Sequence, residues 1–202
     1  QTGNRAQGER LISLAGADKT RVLLAALLLS PHIPLLFMGE EFGETHPFLF
    51  FTDFHGELAK AVREGRAKEF SGHAGHDETV PDPNDVNTFI RSKLDWNKIA
   101  TDEGKTWLRY TRHLLTLRHR YIVPLLHPGG AVEGHVLKTA PGMVAVSWRF
   151  PSGTLSLALN IGTKPVDLPA LAGETRFAWP ELNDVLPPNG IVVRFADGEA
   201  SL

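Results

Sequence analysis

The sequence predicts an α/β part followed by an all-β part. The first is expected to be the C-terminal part of a (β/α)8 TIM barrel, with its last strand and helices, and the second a small antiparallel β-sandwich. An apolar run over residues 33–38 ends at Gly39 and is followed at once by two carboxylates, as when a buried parallel strand delivers acidic residues to the mouth of a barrel. Helical spacing dominates before Pro124 and a period of two dominates after it. We therefore predict two domains, residues 1–123 and 124–202.

The composition favours a folded protein whose partners are not strongly charged. Of the 202 residues 42% are hydrophobic, which is enough for a core. The net charge of -2 comes from 21 basic and 23 acidic residues mixed along the chain, so we expect no nucleic acid and no membrane as partner. The chain has no cysteine, and its longest apolar run, residues 22–29, is too short to cross a bilayer. We expect a soluble, cytoplasmic protein without a metal or other cofactor.

Apolar residues at helical spacing predict five helices, over residues 8–15, 19–29, 57–70, 85–94 and 104–120. Asp18 is the expected N-cap of the second helix. Pro31 ends that helix, because proline disfavours helical backbone in the residue before it. The last helix is expected to bury one face, formed by Trp107, Leu108, Thr111, Leu114 and Leu115.

Alternation predicts strands over residues 132–139, 144–150, 154–159, 174–179 and 191–195. Pro151-Ser152-Gly153 predicts a turn between the second and third of them. The face expected to point into the sandwich carries the larger apolar residues, Val144, Val146, Trp148, Phe150, Leu155, Leu157 and Leu159.

The candidate site is the loop G-E-E-F-G at residues 39–43. Just beyond a barrel strand, two carboxylates and an aromatic ring can hydrogen-bond sugar hydroxyls and stack on a sugar face. The alternative is that the same carboxylates cap a turn or form salt bridges in a structural loop. A second polar loop contains Asn4 and Arg5, between two glycines, and by itself indicates only a turn.

Other patterns favour structural roles. His73, His76, Asp77 and Glu78 are metal-ligand residue types, but their spacing matches no zinc motif and a solvated loop is expected. The four phenylalanines that follow the acidic loop, Phe48, Phe50, Phe51 and Phe54, are typical of packing under a long loop. His32 is predicted to be structural. No serine–histidine–acid or cysteine–histidine arrangement indicates acyl transfer.

Six motifs stand in a fixed order along the first 121 residues. They are Q-T-G-N-R-A-Q-G-E-R-L at 1–11, L-L-L-S-P-H-I-P-L-L-F-M-G-E-E-F-G-E at 27–44, P-F-L-F-F-T-D-F at 47–54, E-L-A-K-A-V-R-E-G-R-A-K-E-F at 57–70, V-P-D-P-N-D at 80–85 and F-I-R-S-K-L-D-W at 89–96. This combination resembles the malto-oligosyltrehalose trehalohydrolase family, which belongs to the α-amylase superfamily, glycoside hydrolase family 13. The all-β part is similar to the β-domain that closes such enzymes.

The resemblance implies a retaining glycosidase that cleaves the α-1,4 bond next to the trehalose unit of maltooligosyl trehalose and releases trehalose. Such an enzyme needs a carboxylate nucleophile and a carboxylic acid. In the family these groups, and an aspartate that stabilises the distorted sugar, precede the position of Gln1. The resemblance therefore implies no catalytic residue in this chain, which alone is expected to be inactive. It implies six substrate-binding candidates on the loops after the seventh and eighth barrel strands: Gln1, Asn4, Arg5, Glu40, Glu41 and Phe42.

The chain begins at Gln1 without a methionine, and we expect it to be the tail of a larger enzyme. A single barrel strand leaves unpaired edges, so the upstream part of the same barrel or a symmetric partner chain is expected to cover it. Besides an α-glucan hydrolase of this kind, two alternatives stay open. One is another α-amylase-type debranching or branching enzyme, and the other is a non-catalytic glucan-binding or assembly module.

Overall fold

The computed structural model describes residues 2, 4–71, 80–127, 133–181 and 184–198. The helices in these ranges are α1 (Leu11–Ala15), α2 (Ala17–Leu29), α3 (Gly56–Phe70), α4 (Val86–Arg91), α5 (Asp102–Leu117) and α6 (Val123–Leu126), with 3₁₀ turns at Glu40–Phe42 and Trp96–Ala100 and a π-helical turn at Arg118–Ile122. The strands are β1 (Glu133–Ala140), β2 (Met143–Phe150), β3 (Gly153–Asn160), β4 (Val166–Asp167), β5 (Glu174–Trp179), β6 (Val185–Leu186) and β7 (Gly190–Asp197).

The chain divides into two compact units that interleave along the sequence. The first comprises Gln1–Gly16 and Leu36–Leu108, and the second comprises Ala17–Leu35 and Arg109–Leu202. This division is based on the contacts between residues of this chain. The predicted domain boundary between residues 123 and 124 stays a prediction. None of the helices in the described ranges has both the length and the apolar character that a membrane span requires.

All five predicted helices form, with shifted ends. Helix α2 begins at Ala17, so the prediction of Asp18 as its N-cap was wrong. Asp18 instead lies in the first turn, where its carboxylate accepts a hydrogen bond from Arg21 Nη1 at 2.9 Å. A negative charge there is favoured by the positive end of the helix dipole. Helix α4 is shorter than predicted, and its N-cap is Asp85, whose side chain accepts a hydrogen bond from the Asn87 N–H.

Helix α5 buries most of the face that its spacing predicts. Trp107, Thr111 and Leu114 are buried, whereas Leu115 is 43% exposed and was wrongly placed on that face. The helix ends at Leu117 because the backbone widens there into the π-helical turn. The turn carries the buried Arg118, whose guanidinium donates to the carbonyl oxygens of Leu28, Ser30 and His32 at 2.7–2.9 Å. These bonds satisfy carbonyl groups that the end of α2 leaves without a helical partner.

The predicted strand over residues 33–38 does not form. The segment is irregular, with Ile33 94% exposed and Leu35 86% exposed. A parallel strand is held by backbone hydrogen bonds to neighbouring strands, and among the described residues no strand lies beside this segment. The residue types of a buried strand are present, but the described part of the chain places no strand against them.

The predicted sandwich consists of one five-stranded antiparallel sheet, in the order β1-β2-β3-β7-β5, and a second layer formed by the β4–β6 ribbon. The ribbon strands have two residues each, too short for an alternating pattern to indicate them. Leu186 of the ribbon joins a buried cluster with Met143, Ala145, Ala158 and Val192 of the sheet. The all-β prediction is confirmed, with a second layer much smaller than the first.

The central strand β3 is buried on both sides, which two-sided alternation did not predict. Leu155 and Leu157 are buried as expected, but Ser156 and Ala158 on the opposite side are both 0% exposed. Helix α2 packs against β3 and β7, and its Leu29 lines a small cavity together with Leu155 and Val193. The sheet therefore lies between a helix and the ribbon. Leu155 faces the helix rather than the ribbon, so the expectation that it points into the sandwich was wrong; the ribbon is faced by the cluster around Ala145 and Ala158.

Candidate functional site

Two glycines shape the acidic loop. Gly39 and Gly43 flank the 3₁₀ turn Glu40–Phe42 with φ values of 91° and 71°, a region that residues with a side chain rarely adopt. A Cβ atom on Gly39 would lie 2.7 Å from Cβ of Glu44, and one on Gly43 would lie 2.5 Å from Cδ1 of the buried Trp107. These glycines allow the tight turn, and each is also required by the close approach of a neighbour.

The adjacent carboxylates of Glu40 and Glu41 bind backbone N–H groups of their own loop. Oε2 of Glu40 accepts from the Phe37 N–H at 3.0 Å, and Oε2 of Glu41 accepts from the Gly39 N–H at 2.9 Å. Both side chains are half-buried. Carboxylates that accept backbone N–H groups in this way stabilise a turn. This is the capping role that the sequence left open as the alternative to sugar binding.

Phe42 lies inside the first unit. It is 0% exposed, and its ring centroid is 6.0 Å from that of Trp96, which is itself 65% exposed. A ring without exposed surface offers no face to a sugar, so in this structure Phe42 acts as packing beneath the loop. Trp96, whose exposed indole lies beside Phe42, is the last residue of the motif F-I-R-S-K-L-D-W and was not selected from the sequence.

Glu44 is a buried carboxylate that sequence reasoning did not select. It is 1% exposed, and it accepts three backbone N–H groups, from Thr45 at 2.7 Å, His46 at 2.9 Å and Asp95 at 2.7 Å. Burial alone raises the pKa of Glu44, but these three hydrogen bonds outweigh it, and the net pKa is below the ordinary value. Glu44 is therefore an anion that fastens the acidic loop to the start of the 3₁₀ turn Trp96–Ala100.

Arg10 is the buried cation of the same region, with 2% of its surface exposed. Its guanidinium donates to the carbonyl oxygens of Met38, at 2.8 Å, and of His46, and it lies 5.4 Å from the ring centroid of Phe37. Burial lowers the pKa of Arg10, and the carboxylates of Glu44, Glu40 and Glu41 partly offset that effect. Among the described residues, Nη2 of Arg10 has no hydrogen-bond acceptor.

The other predicted loop lies in the same unit. Asn4 and Arg5 are exposed, and Arg5 pairs with Glu9 at 3.3 Å. The carbonyl oxygen of Gly8 accepts from the Phe48 N–H at 2.8 Å, which connects this loop to the segment that follows the acidic loop. Gln1 lies outside the described residues, as do His73, His76, Asp77 and Glu78. No group of metal-ligand side chains suited to an ion occurs in the described ranges.

Comparison with known proteins places these features in a family. A malto-oligosyltrehalose trehalohydrolase from Brevibacterium helvolum is 36% identical over 185 residues, which is 91% of this chain and 30% of the relative. One of the same name from Deinococcus radiodurans is 47% identical over 128 residues, 63% of this chain and 21% of the relative. The chain belongs to the malto-oligosyltrehalose trehalohydrolase family. It matches a C-terminal portion of these proteins and spans less than a third of their length.

Two solved structures are similar to this chain. The crystal structure of a Salmonella typhimurium protein provisionally assigned as an α-amylase superposes with a TM-score of 0.93 at 65% identity, covering 97% of this chain and 33% of that one. The trehalulose synthase of Pseudomonas mesoacidophila superposes with a TM-score of 0.59 at 17% identity, covering 96% of this chain and 42% of that one, and shows the fold alone. No family model matches the chain.

Within this trehalohydrolase-family chain, the structure adds three residues to the predicted site: Arg10, Glu44 and Trp96. Each was visible in the sequence inside a quoted motif. None carried a signal of its role, because burial of a charge or exposure of a ring depends on contacts between segments distant in the chain. Arg10 and Glu44 bind backbone groups on either side of the acidic loop, and Trp96 lies against Phe42 within it.

Proposed function

We propose that the protein containing this chain is a retaining glycoside hydrolase that cleaves the α-1,4 bond next to the trehalose unit of maltooligosyl trehalose and releases trehalose in the cytoplasm. The chain supplies the loops after the last two strands of a (β/α)8 barrel and the closing β-domain. The observation that carries the proposal is the similarity to malto-oligosyltrehalose trehalohydrolases over 91% of this chain.

The catalytic carboxylates of the proposed enzyme lie upstream of Gln1. A retaining glycosidase needs a nucleophile and an acid on opposite sides of the scissile bond, about 5–5.5 Å apart. The only adjacent carboxylate pair in the candidate loop, Glu40 and Glu41, is engaged with backbone N–H groups of that loop. An acid that caps a turn is poorly placed to donate a proton to a leaving group. The 202-residue chain alone is therefore inactive.

The substrate contacts of this chain come from the rim of the barrel. Glu40 and Glu41, half-buried at the turn, accept hydrogen bonds from sugar hydroxyls, and the exposed Asn4 and Arg5 approach the same substrate together with Gln1. Phe42 supports the turn from below, since its ring is covered. Such contacts contribute to binding of the glucan chain rather than to the bond-breaking step.

The segment over residues 33–38 pairs with strands from the upstream part of the same barrel, or otherwise with a symmetric partner chain. Ile33 and Leu35 expose nearly their whole side chains, and an exposed apolar segment of this kind is a template for strand pairing. Light scattering of the 202-residue chain is expected to show aggregation or a dimer. A monodisperse monomer would contradict the proposed partner.

The decisive experiment is the release of trehalose from maltooligosyl trehalose. The 202-residue chain and a version extended upstream to the length of the relatives are assayed side by side. Maltooligosaccharides without trehalose and a branched glucan serve as comparison substrates. Release by the extended protein alone supports the proposal. Release by the short chain would mean that an acid within it is catalytic, and preferential cleavage of the branched glucan would favour a debranching enzyme instead.

A further inference from the structure

Arg10 bridges the two ends of the acidic loop. Its guanidinium donates to the carbonyl oxygen of Met38, immediately before the loop, and to that of His46, just after it. One planar, rigid donor group thereby sets the distance between the two ends. Glu40 and Glu41 lie between these two anchor points, so the orientation of their carboxylates depends on how the loop is closed.

Stability alone does not account for a charge at this position. Burying a guanidinium is unfavourable unless its donors are satisfied, and here Nη2 has no acceptor among the described residues. The buried Arg118 provides a contrast, because it donates to three carbonyl oxygens at the end of a helix and serves as a cap. The carboxylates of Glu44, Glu40 and Glu41 favour the charge of Arg10 but only partly offset the effect of its burial.

We propose that Arg10 is a positioning residue for substrate binding: it fixes the closure of the acidic loop and thereby the direction in which Glu40 and Glu41 present their carboxylates. This inference rests on the proposed function. Arg10 does not itself reach the sugar, because its side chain is buried. Its contribution is transmitted through the loop.

The test compares Arg10→Met and Arg10→Lys in the full-length enzyme, with Arg118→Lys as the matched control. Contacts made equally in the ground state and the transition state affect KM and leave kcat unchanged. We expect KM for maltooligosyl trehalose to rise about tenfold in Arg10→Met and about threefold in Arg10→Lys, since lysine keeps the charge and can donate to carbonyl oxygens but lacks the rigid planar fork of the guanidinium. Arg118→Lys, in the other compact unit, leaves the KM of the folded enzyme unchanged.

A double-mutant cycle separates positioning from general destabilisation. If Arg10 acts through the two carboxylates, Arg10→Met has no further effect on KM in a Glu40→Gln, Glu41→Gln background. An equal rise in KM in both backgrounds, or an unchanged KM in Arg10→Met, would overturn the inference. Should Arg10→Met fail to fold, the Arg10→Lys variant decides by the same comparison.

Hydrogen exchange provides a readout that does not depend on activity. The Phe37 and Gly39 amides, which bind the two carboxylates, are expected to lose protection in Arg10→Lys and to keep it in Arg118→Lys. Unchanged protection would refute the positioning role. An unsubstituted full-length protein that releases no trehalose would instead refute the proposed function, and the exchange result would still decide the role of Arg10.

Discussion

Replacing Gly43 by alanine tests the construction of the acidic loop directly. Gly43 has a φ of 71°, and an added Cβ would lie 2.5 Å from Cδ1 of Trp107, which is 1% exposed. Two penalties therefore combine: a positive φ in a residue with a side chain, and overpacking against a fixed indole. Two other glycines of the same unit separate these penalties. Gly56 has a φ of 60° with no atom within 4 Å of an added Cβ, and Gly65, within helix α3, also has open space around it.

The three substitutions are expected to differ in sign and size. Gly65→Ala raises the free energy of unfolding by about 0.5–1 kcal/mol, because alanine loses less entropy in a helix. Gly56→Ala lowers it by about 1–2 kcal/mol, the cost of a left-handed conformation. Gly43→Ala adds about 1–3 kcal/mol for overpacking, giving a total loss of about 2–5 kcal/mol. Most domains have about 5–15 kcal/mol of stability, so the variant is expected to fold but to be much weakened.

The assay is urea unfolding, monitored by tryptophan fluorescence, of the unsubstituted protein and the three glycine variants. The informative quantity is the difference between Gly43→Ala and Gly56→Ala, since backbone strain is common to both. Equal losses within about 0.5 kcal/mol would show that Trp107 does not pack against Gly43. The close approach of Trp107 would then not be what requires a glycine at position 43. A destabilising Gly65→Ala would show instead that helix α3 is not free of contacts at that position.

Three further predictions follow from buried or exposed side chains. Glu44→Gln lowers the free energy of unfolding by about 2–4 kcal/mol at pH 7, because charge-assisted hydrogen bonds are lost. The pKa of Glu44 in the folded protein is below its ordinary value. The stability difference between the two proteins is therefore complete at neutral pH and shrinks as the pH falls through that folded pKa. Unfolding curves that show the same stability difference in acid would contradict this prediction. Tyr110→Phe costs about 1 kcal/mol in thermal unfolding, because the Tyr110 hydroxyl donates to the carbonyl oxygen of Arg21 at 3.0 Å. Burial raises the pKa of Tyr110, so its phenolate absorbance is expected only after alkaline unfolding, and a native titration near the ordinary value of about 10 would refute this. Ile33→Lys reduces the self-association of the 202-residue chain in light scattering and prevents folding of the full-length protein, as solubility and circular dichroism would show; a soluble, active full-length variant would refute the pairing of residues 33–38.

The sequence predicts the loop of the candidate site better than its chemistry. Glycines that flank a short polar stretch indicate a tight turn, because few other residues adopt a positive φ, and Gly39 and Gly43 confirm this. The carboxylates of Glu40 and Glu41 bind N–H groups two and three residues away, whereas the contacts of the next carboxylate are not encoded locally. Glu44 accepts the N–H of Asp95, 51 residues away, so its burial follows from packing between distant segments. Phe42 was interpreted as a sugar platform for the same reason: composition does not show which ring is covered.

Strand prediction succeeded where the neighbouring strands follow in the same chain. The hairpin from β2 to β3 pairs in full register from Met143 with Asn160 to Phe150 with Gly153, and alternation with a turn signal was enough to indicate it. The apolar run over residues 33–38 has the residue types of a strand, but among the described residues no strand lies beside it. An apolar pattern reports what a segment can bury, not whether a partner is present.

The two buried arginines show why a charge inside a fold needs to be interpreted through its acceptors. Arg118 is fully explained by the three carbonyl oxygens that it binds, and replacing it removes a helix cap. Arg10 binds two carbonyl oxygens and has three loop carboxylates as its electrostatic counterpart, so it is less well satisfied as a structural group and better placed to control the loop. If the acidic loop contacts a glucan chain, the unit that carries it needs one loop conformation before the substrate arrives. A rigid bridge between the ends of the loop provides that conformation. The loop is then ordered before the substrate binds, so the entropy cost of ordering it does not weaken binding.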